Sequence, residues 1–133
     1  AALAHAIEQI KTLRLQNLPA AGQVKLYYEK LSDICRNYFE DQLNIRSAQS
    51  TSDELMVLLS VYLQQEKKRS EFYQLLRLSD AVKFAKYIPS ERQNEEVTEA
   101  AIGSLQYIDG TIREIKKNTD GPEKASIKNM KRV

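Results

Sequence analysis

The stretch VKLYYEKLSDICRNYFE, residues 24–40, decides the fold class. Its apolar and aromatic side chains Val24, Tyr27, Tyr28, Leu31, Ile34, Cys35, Tyr38 and Phe39 recur at steps of three, one, three, three, one, three and one. That is the rhythm of one broad helical face, with Lys25, Glu29, Lys30, Asp33, Arg36, Asn37 and Glu40 on the other side. A half-buried strand needs strict alternation, and none is present. The segment reads as a helix whose face is wide enough to require two or three antiparallel partners.

The flanking sequence supplies them. Upstream, residues 2–17 place Leu3, Ile7, Ile10 and Leu13 or Arg14 along one stripe. LPAAG, residues 18–22, ends that segment, because Pro19 pushes Leu18 out of the helical region. Downstream, a polar connection over residues 44–50 leads into Thr51-Ser52-Asp53-Glu54, the pattern of a capping box. Leu55, Met56, Leu59, Tyr62 and Leu63 then read as the buried face of a third, shorter helix, closed by the solvated charge cluster Glu66-Lys67-Lys68-Arg69. Phe72, Leu75, Leu76, Val82 and Ala85 mark a fourth helical region, one helix or two with a break near Leu78-Ser79-Asp80, ended by Pro89. Ser90 and Gln93 repeat the capping-box pattern and open the last helix. Its early Glu91, Glu95 and Glu96 suit the positive end of the helix dipole, and Val97, Ala101, Leu105, Ile108, Ile112 and Ile115 form its stripe. The expectation is an all-α compact bundle of about five helices in a single domain over residues 1–117. A flexible basic tail over residues 118–133 follows, since Asp120-Gly121-Pro122 cannot continue a helix.

Composition narrows the function classes. With 42% hydrophobic residues among 133, the chain can build a core. One cysteine excludes an intrachain disulfide and a cysteine-based zinc cluster, and one histidine excludes sites needing two or three. Four glycines and three prolines are too few for a turn-rich β-sandwich or a glycine-rich phosphate cradle. The net charge of +2 lies wholly after Lys117, so the body is neutral and nucleic acid is not an expected partner. The longest apolar run, LMVLLSVYL from Leu55, is far short of the ~20 residues that span a bilayer. The chain opens on Ala1 rather than Met, which reads as a processed or excised piece.

No residue pattern spells a reaction. Cys35 lies on the apolar stripe and reads as a buried structural thiol, and His5 reads as a surface residue. The carboxylate groups Glu95/Glu96/Glu99, Glu40/Asp41 and Asp53/Glu54 sit at helix ends or on polar faces, where capping and the helix dipole account for them. Tyr27, Tyr38 and Tyr62 fit core stripes, while Tyr28, Tyr73 and Tyr87 fall near stripe edges. The segment DAVKFAKY, residues 80–87, has two readings. In one, Phe84 packs on a second helix while Lys83 and Lys86 snorkel outward. In the other, Lys83, Phe84, Lys86 and Tyr87 form a partner-docking surface with an exposed aromatic between two cations. The charge cluster Lys67-Lys68-Arg69 with the tail offers a weaker nucleic-acid alternative. Ile102 and Ile112 exceed what one core needs, which leaves a homodimer through the last helix open.

Three motifs, taken in order, resemble a known family. GQVKLYYEKLSDICRNYFEDQLNI from Gly22, STSDELMVLL from Ser50 and LLRLSDAVKFAKYIPS from Leu75 are similar to bacterial membrane proteins encoded in Bat (aerotolerance) gene clusters. These lie beside a MoxR-type AAA ATPase and von Willebrand A-domain proteins, and a similar segment closes BatD-type proteins. The likeness runs from about Ala4 to Gln93 and leaves the last helix and tail uncovered. It implies a transmembrane helix just before Ala1 and a helical domain at the cytoplasmic face of the bacterial inner membrane. It carries no enzymatic activity, catalytic residue, metal or cofactor. The recurring positions fall here on Leu31, Ile34, Arg36, Tyr38, Thr51, Glu54, Asp80, Val82, Lys83, Phe84 and Pro89. Cys35 stands where leucine is usual, and Leu43-Asn44-Ile45 replaces a Phe-Gly-Ile type of turn, so Asn44 must supply any left-handed cap. Within the motifs, Arg36 and Asp80 have opposite signs and are expected to pair across the second and fourth helices.

The functional expectation is a non-catalytic interaction domain that docks protein partners such as the ATPase. The rival is a helical-bundle enzyme or small-ligand-binding domain, recognisable by a polar pocket with at least two inward carboxylates.

Overall fold

The computed structural model describes residues 1–120, with side chains to residue 118. Five helices follow in order: α1 (Ala2–Leu15), α2 (Val24–Leu43), α3 (Ser52–Leu58), α4 (Glu66–Phe84) and α5 (Glu91–Asp120). Single 3₁₀ turns at Ser47–Gln49 and Ser60–Tyr62 flank α3, and no strand occurs among the described residues.

Cross-helix pairs define the topology. Tyr27 bonds to Thr98 and Tyr38 to Asp109, the same sequence offset twice, so α2 and α5 run parallel. Arg14, near the end of α1, meets Glu99, near the start of α5, so α1 is antiparallel to both. Phe72 packs edge-on against Phe39 at 5.7 Å, while Lys83 reaches back to Ser32, which makes α4 antiparallel to α2. The four long helices form an up-and-down bundle, with α3 bridging between α2 and α4.

α2 behaves as its pattern requires. Tyr27, Tyr28, Leu31, Cys35, Tyr38 and Phe39 are buried, and Val24 and Ile34 are partly buried against the same core. Its end is set by Asn44, which adopts the left-handed conformation at φ 54° and donates its N–H to the Glu40 carbonyl. Both capping boxes form. Thr51 and Glu54 exchange side-chain and backbone bonds at 3.1 and 3.0 Å, and Ser90 and Gln93 do so at 3.1 and 2.9 Å.

Several boundaries differ from the pattern reading. The third helix stops at Leu58, and Leu59 and Leu63 are buried from the following 3₁₀ turn and its flanks rather than from a continuing helix. Glu66-Lys67-Lys68-Arg69 does not close that helix but opens α4. These residues are good helix formers, Glu66 suits a first turn, and the Arg69 guanidinium donates to the Leu63 and Gln64 carbonyls just upstream. Of the two readings of the fourth region, the single helix holds: α4 is unbroken at Leu78-Ser79-Asp80, where Ser79 is buried without leaving the helix. α5 runs three residues beyond Lys117 to Asp120, and the remainder of the expected tail, residues 121–133, lies outside the described residues. Ile112 is absorbed by the core and Ile102 is partly buried against it, while Ile115, expected on the same stripe, is exposed because α5 has run past its neighbours there.

The Phe39–Phe72 contact sits at the centre of the α2–α4 seam, with both rings fully buried. Phe72→Ala is expected to cost about 3–5 kcal/mol, read as a lower urea midpoint without a change in its slope.

Candidate functional site

Arg36 lies on the polar side of the α2 pattern, yet it is only 9% exposed. The connection after α2 folds back over it. Its Nη1 donates to the carbonyls of Ser47 and Ser50, the latter at 2.8 Å, and its Nε donates to Ser32 Oγ at 3.2 Å. An arginine has five donors in a rigid fork, which suits it to pinning loop carbonyls that would otherwise be buried without partners. Burial lowers the guanidinium pKa, and the Asp80 carboxylate is the strongest opposing charge. The expected Arg36–Asp80 ion pair is therefore not a direct one. Asp80 acts on Arg36 through space across the seam, while the hydrogen bonds go to backbone of the 3₁₀ turn, a partner that spacing could not reveal.

Lys83 stands on the other side of Ser32. Its Nζ lies 3.5 Å from Ser32 Oγ and 5.5 Å from the Phe84 ring centroid. Burial depresses its pKa first and the Arg36 charge second, with Asp80, Asp33 and Glu29 opposing.

Beyond Lys83 the chain makes a tight corner into α5. The N–H groups of Ala85 and Tyr87 both donate to the Ala81 carbonyl, at 3.0 and 3.1 Å, and Lys86 takes the left-handed conformation at φ 59°. This is the hydrogen-bonded way of ending a helix, with lysine where glycine is commoner. Tyr87 OH donates to Gln93 Oε1 at 3.0 Å, Pro89 is buried, and the Ser90–Gln93 box holds the start of α5. The corner is thus fixed in shape. On it, Phe84 and Ile88 are each 79% exposed and Tyr87 42%.

Of the four residues expected to dock a partner, Phe84, Lys86 and Tyr87 are exposed together at this corner, and Lys83 is half-buried beside it. The packing alternative fails at two residues, since Phe84 is exposed and Lys83 half-buried, while Lys86 is exposed as it required. Ile88 joins them at the corner, and its signal in the sequence is an apolar residue off any helical stripe and just before Pro89. Phe84 also forms the rim of an open cleft of about 650 Å³ between α4 and residues 48–52, with Arg36, Arg77 and Asp80 in its wall.

Cys35, His5 and the acidic residues fall where the sequence put them, and two tyrosines do not. The Cys35 thiol is buried and its pKa is pushed up to about 12 by desolvation, far from a reactive thiolate. His5 is exposed. Glu99 pairs with Arg14 at 2.7 Å, Glu96 with Arg92 at 2.9 Å, and Glu40 accepts from the Ala48 N–H at 3.0 Å. No group of three or more His, Cys, Asp or Glu among the described residues could hold a metal. Tyr28, assigned to a stripe edge, is instead fully buried and donates to Asn94 Oδ1 at 2.7 Å. Tyr62, assigned to the core, is only partly buried. No described helix is long and apolar enough to cross a membrane.

Compared with protein-family models, curated proteins and solved structures, the chain matches none.

Two measurements check this geometry. Arg36→Ala leaves the Ser47 and Ser50 carbonyls short of a donor and should cost about 2–4 kcal/mol, against less than about 1 kcal/mol for Asp80→Asn; equal losses in urea unfolding would restore the direct ion pair. The second is pH dependence. Burial raises the pKa values of Tyr27, Tyr28 and Tyr38, and of Cys35. The unfolded chain loses these protons first, at about pH 8.5 for a thiol and about 10 for a phenol, so stability falls as pH rises through that range. The depressed Lys83 works in the opposite direction, but as one group against four. The urea midpoint should hold to about pH 8 and decline by pH 10.5.

Proposed function

We propose that this is a non-catalytic protein-interaction domain, the cytoplasmic part of a single-pass bacterial inner-membrane protein. In this reading it is a scaffold that works with a MoxR-type AAA ATPase and von Willebrand A-domain proteins. The docking role is carried by one observation: Phe84 and Ile88 project into solvent from a corner whose backbone is held by three sets of hydrogen bonds. Large exposed apolar side chains on a fixed frame can bind with little loss of conformational entropy, and aromatic anchors dominate binding energy at protein interfaces. Lys86 adds a charge at the rim, where it steers encounter more than it holds the complex.

The membrane setting and the named partners rest on the resemblance of the three motifs. The bundle is arranged in a way that suits them. α1 begins beside Tyr38 and Asp41, at the far end of α2, and it ends beside Pro89 and Glu91. An anchor joined at Ala1 would leave from the pole opposite the Phe84 corner, so the corner would face away from the bilayer toward soluble partners.

The test is a titration of the purified MoxR-type ATPase with the wild-type domain and with a Phe84→Ala/Ile88→Ala double variant. Binding should weaken at least about tenfold in the variant while its melting temperature stays near wild type, because both side chains are exposed. Equal affinity for the two proteins, or no binding by the wild type, would refute the proposal.

A further inference from the structure

We infer that Lys83 is a site of covalent modification, a lysine that donors of the acyl-phosphate class acylate ahead of the exposed Lys67 and Lys86. The geometry behind it is the sharing of one hydroxyl by two cations. Arg36 Nε and Lys83 Nζ stand 3.2 and 3.5 Å from the same oxygen, Ser32 Oγ. Arg36 is locked there by the Ser47 and Ser50 carbonyls and cannot move away, and a guanidinium does not give up its proton. Any relief of the repulsion must come from Lys83. Its stem is half-buried in the α2–α4 seam, so water solvates the ammonium poorly.

The charges facing Nζ are Glu29, Asp33 and Arg36 on α2 and Asp80 on its own helix. The three carboxylates favour the ammonium, but burial and Arg36 outweigh them, and the pKa is lowered. A lysine with a larger neutral fraction is a better nucleophile. By comparison, Lys67 and Lys86 are exposed, and Lys25 and Lys68 stand beside Glu29 and Glu71, both at 3.9 Å.

The step needs only the acyl phosphate. The Nζ lone pair attacks the acyl carbon and a C–N bond forms. The C–O bond to phosphate breaks with phosphate taking its electron pair, and the surplus proton on nitrogen passes to water. Nothing is oxidised or reduced. The product amide is neutral, so the charge against Arg36 and the cation beside the exposed Phe84 ring are both removed. The inference concerns the amine alone and stands apart from any docking role.

The experiment treats the full chain with acetyl phosphate across pH 7–10 and follows each lysine by peptide mass spectrometry. At pH 7.5 Lys83 should be acetylated at least about threefold faster than Lys67 and Lys86, and its rate should level off below about pH 10.4, where a free lysine amine titrates. In concentrated urea the advantage should vanish, because the cation pair exists only in the fold. Arg36→Gln should reduce the advantage, and Ser79→Ala, buried on α4 but outside the cation pair, should keep it. A native rate for Lys83 no greater than that of the exposed lysines would overturn the inference, as would an advantage that survives unfolding.

Discussion

Three phenolic hydroxyls on one face of α2 hold the bundle in register. Tyr27, Tyr28 and Tyr38 are buried, and each finds its partner on α5, at Thr98, Asn94 and Asp109. A buried tyrosine ring contributes a large apolar area, but only if its hydroxyl remains bonded. Sliding α5 by one turn would break all three bonds at once and leave polar atoms inside the core. The apolar stripe thus brings the helices together, and the hydroxyls select one alignment among the many that greasy contact alone would permit. Every other cross-helix feature, from the Arg14–Glu99 pair to the Phe39–Phe72 contact, inherits that alignment.

The α2–α4 seam shows how a polar network can shape a surface. Arg36 spends its donors on the connection between α2 and α3, which fastens residues 47–50 against the bundle. Ser32 then mediates between Arg36 and Lys83, drawing the lysine inward. With Lys83 turned in, the next residue on the helix, Phe84, is left facing water at the end of α4. The exposed corner is a consequence of the inward lysine and of the left-handed Lys86 that ends the helix. The surface proposed to dock partners and the amine proposed to be acylated are adjacent outcomes of a single arrangement.

Much of the architecture was legible because helical signals are local. The α2 stripe, the Thr51–Glu54 and Ser90–Gln93 boxes and the Asn44 cap each depend on residues within four positions of one another, and each is present. The errors arose where the partner is distant. Arg36 reads as a solvated residue because its carbonyl partners sit 11 and 14 residues away, in a 3₁₀ turn and its cap that have no pattern of their own. Tyr28 reads as an edge residue because its partner, Asn94, lies 66 residues away on α5. The third helix was drawn too long because the apolar spacing of Leu59 and Leu63 can be satisfied equally by a 3₁₀ turn folding onto the core.

What the amino-acid order determined by itself was the class of the fold, the capping-box starts of α3 and α5, and the lack of any metal or disulfide chemistry built on several cysteines or histidines. Periodicity, capping and composition are properties of short windows, and they survive without knowledge of neighbours. The tertiary structure alone decided which charged residues are buried, which tyrosines lose water, and that Phe84 faces outward while Lys83 does not. Burial is a property of what packs on top of a residue, and no window of sequence contains that.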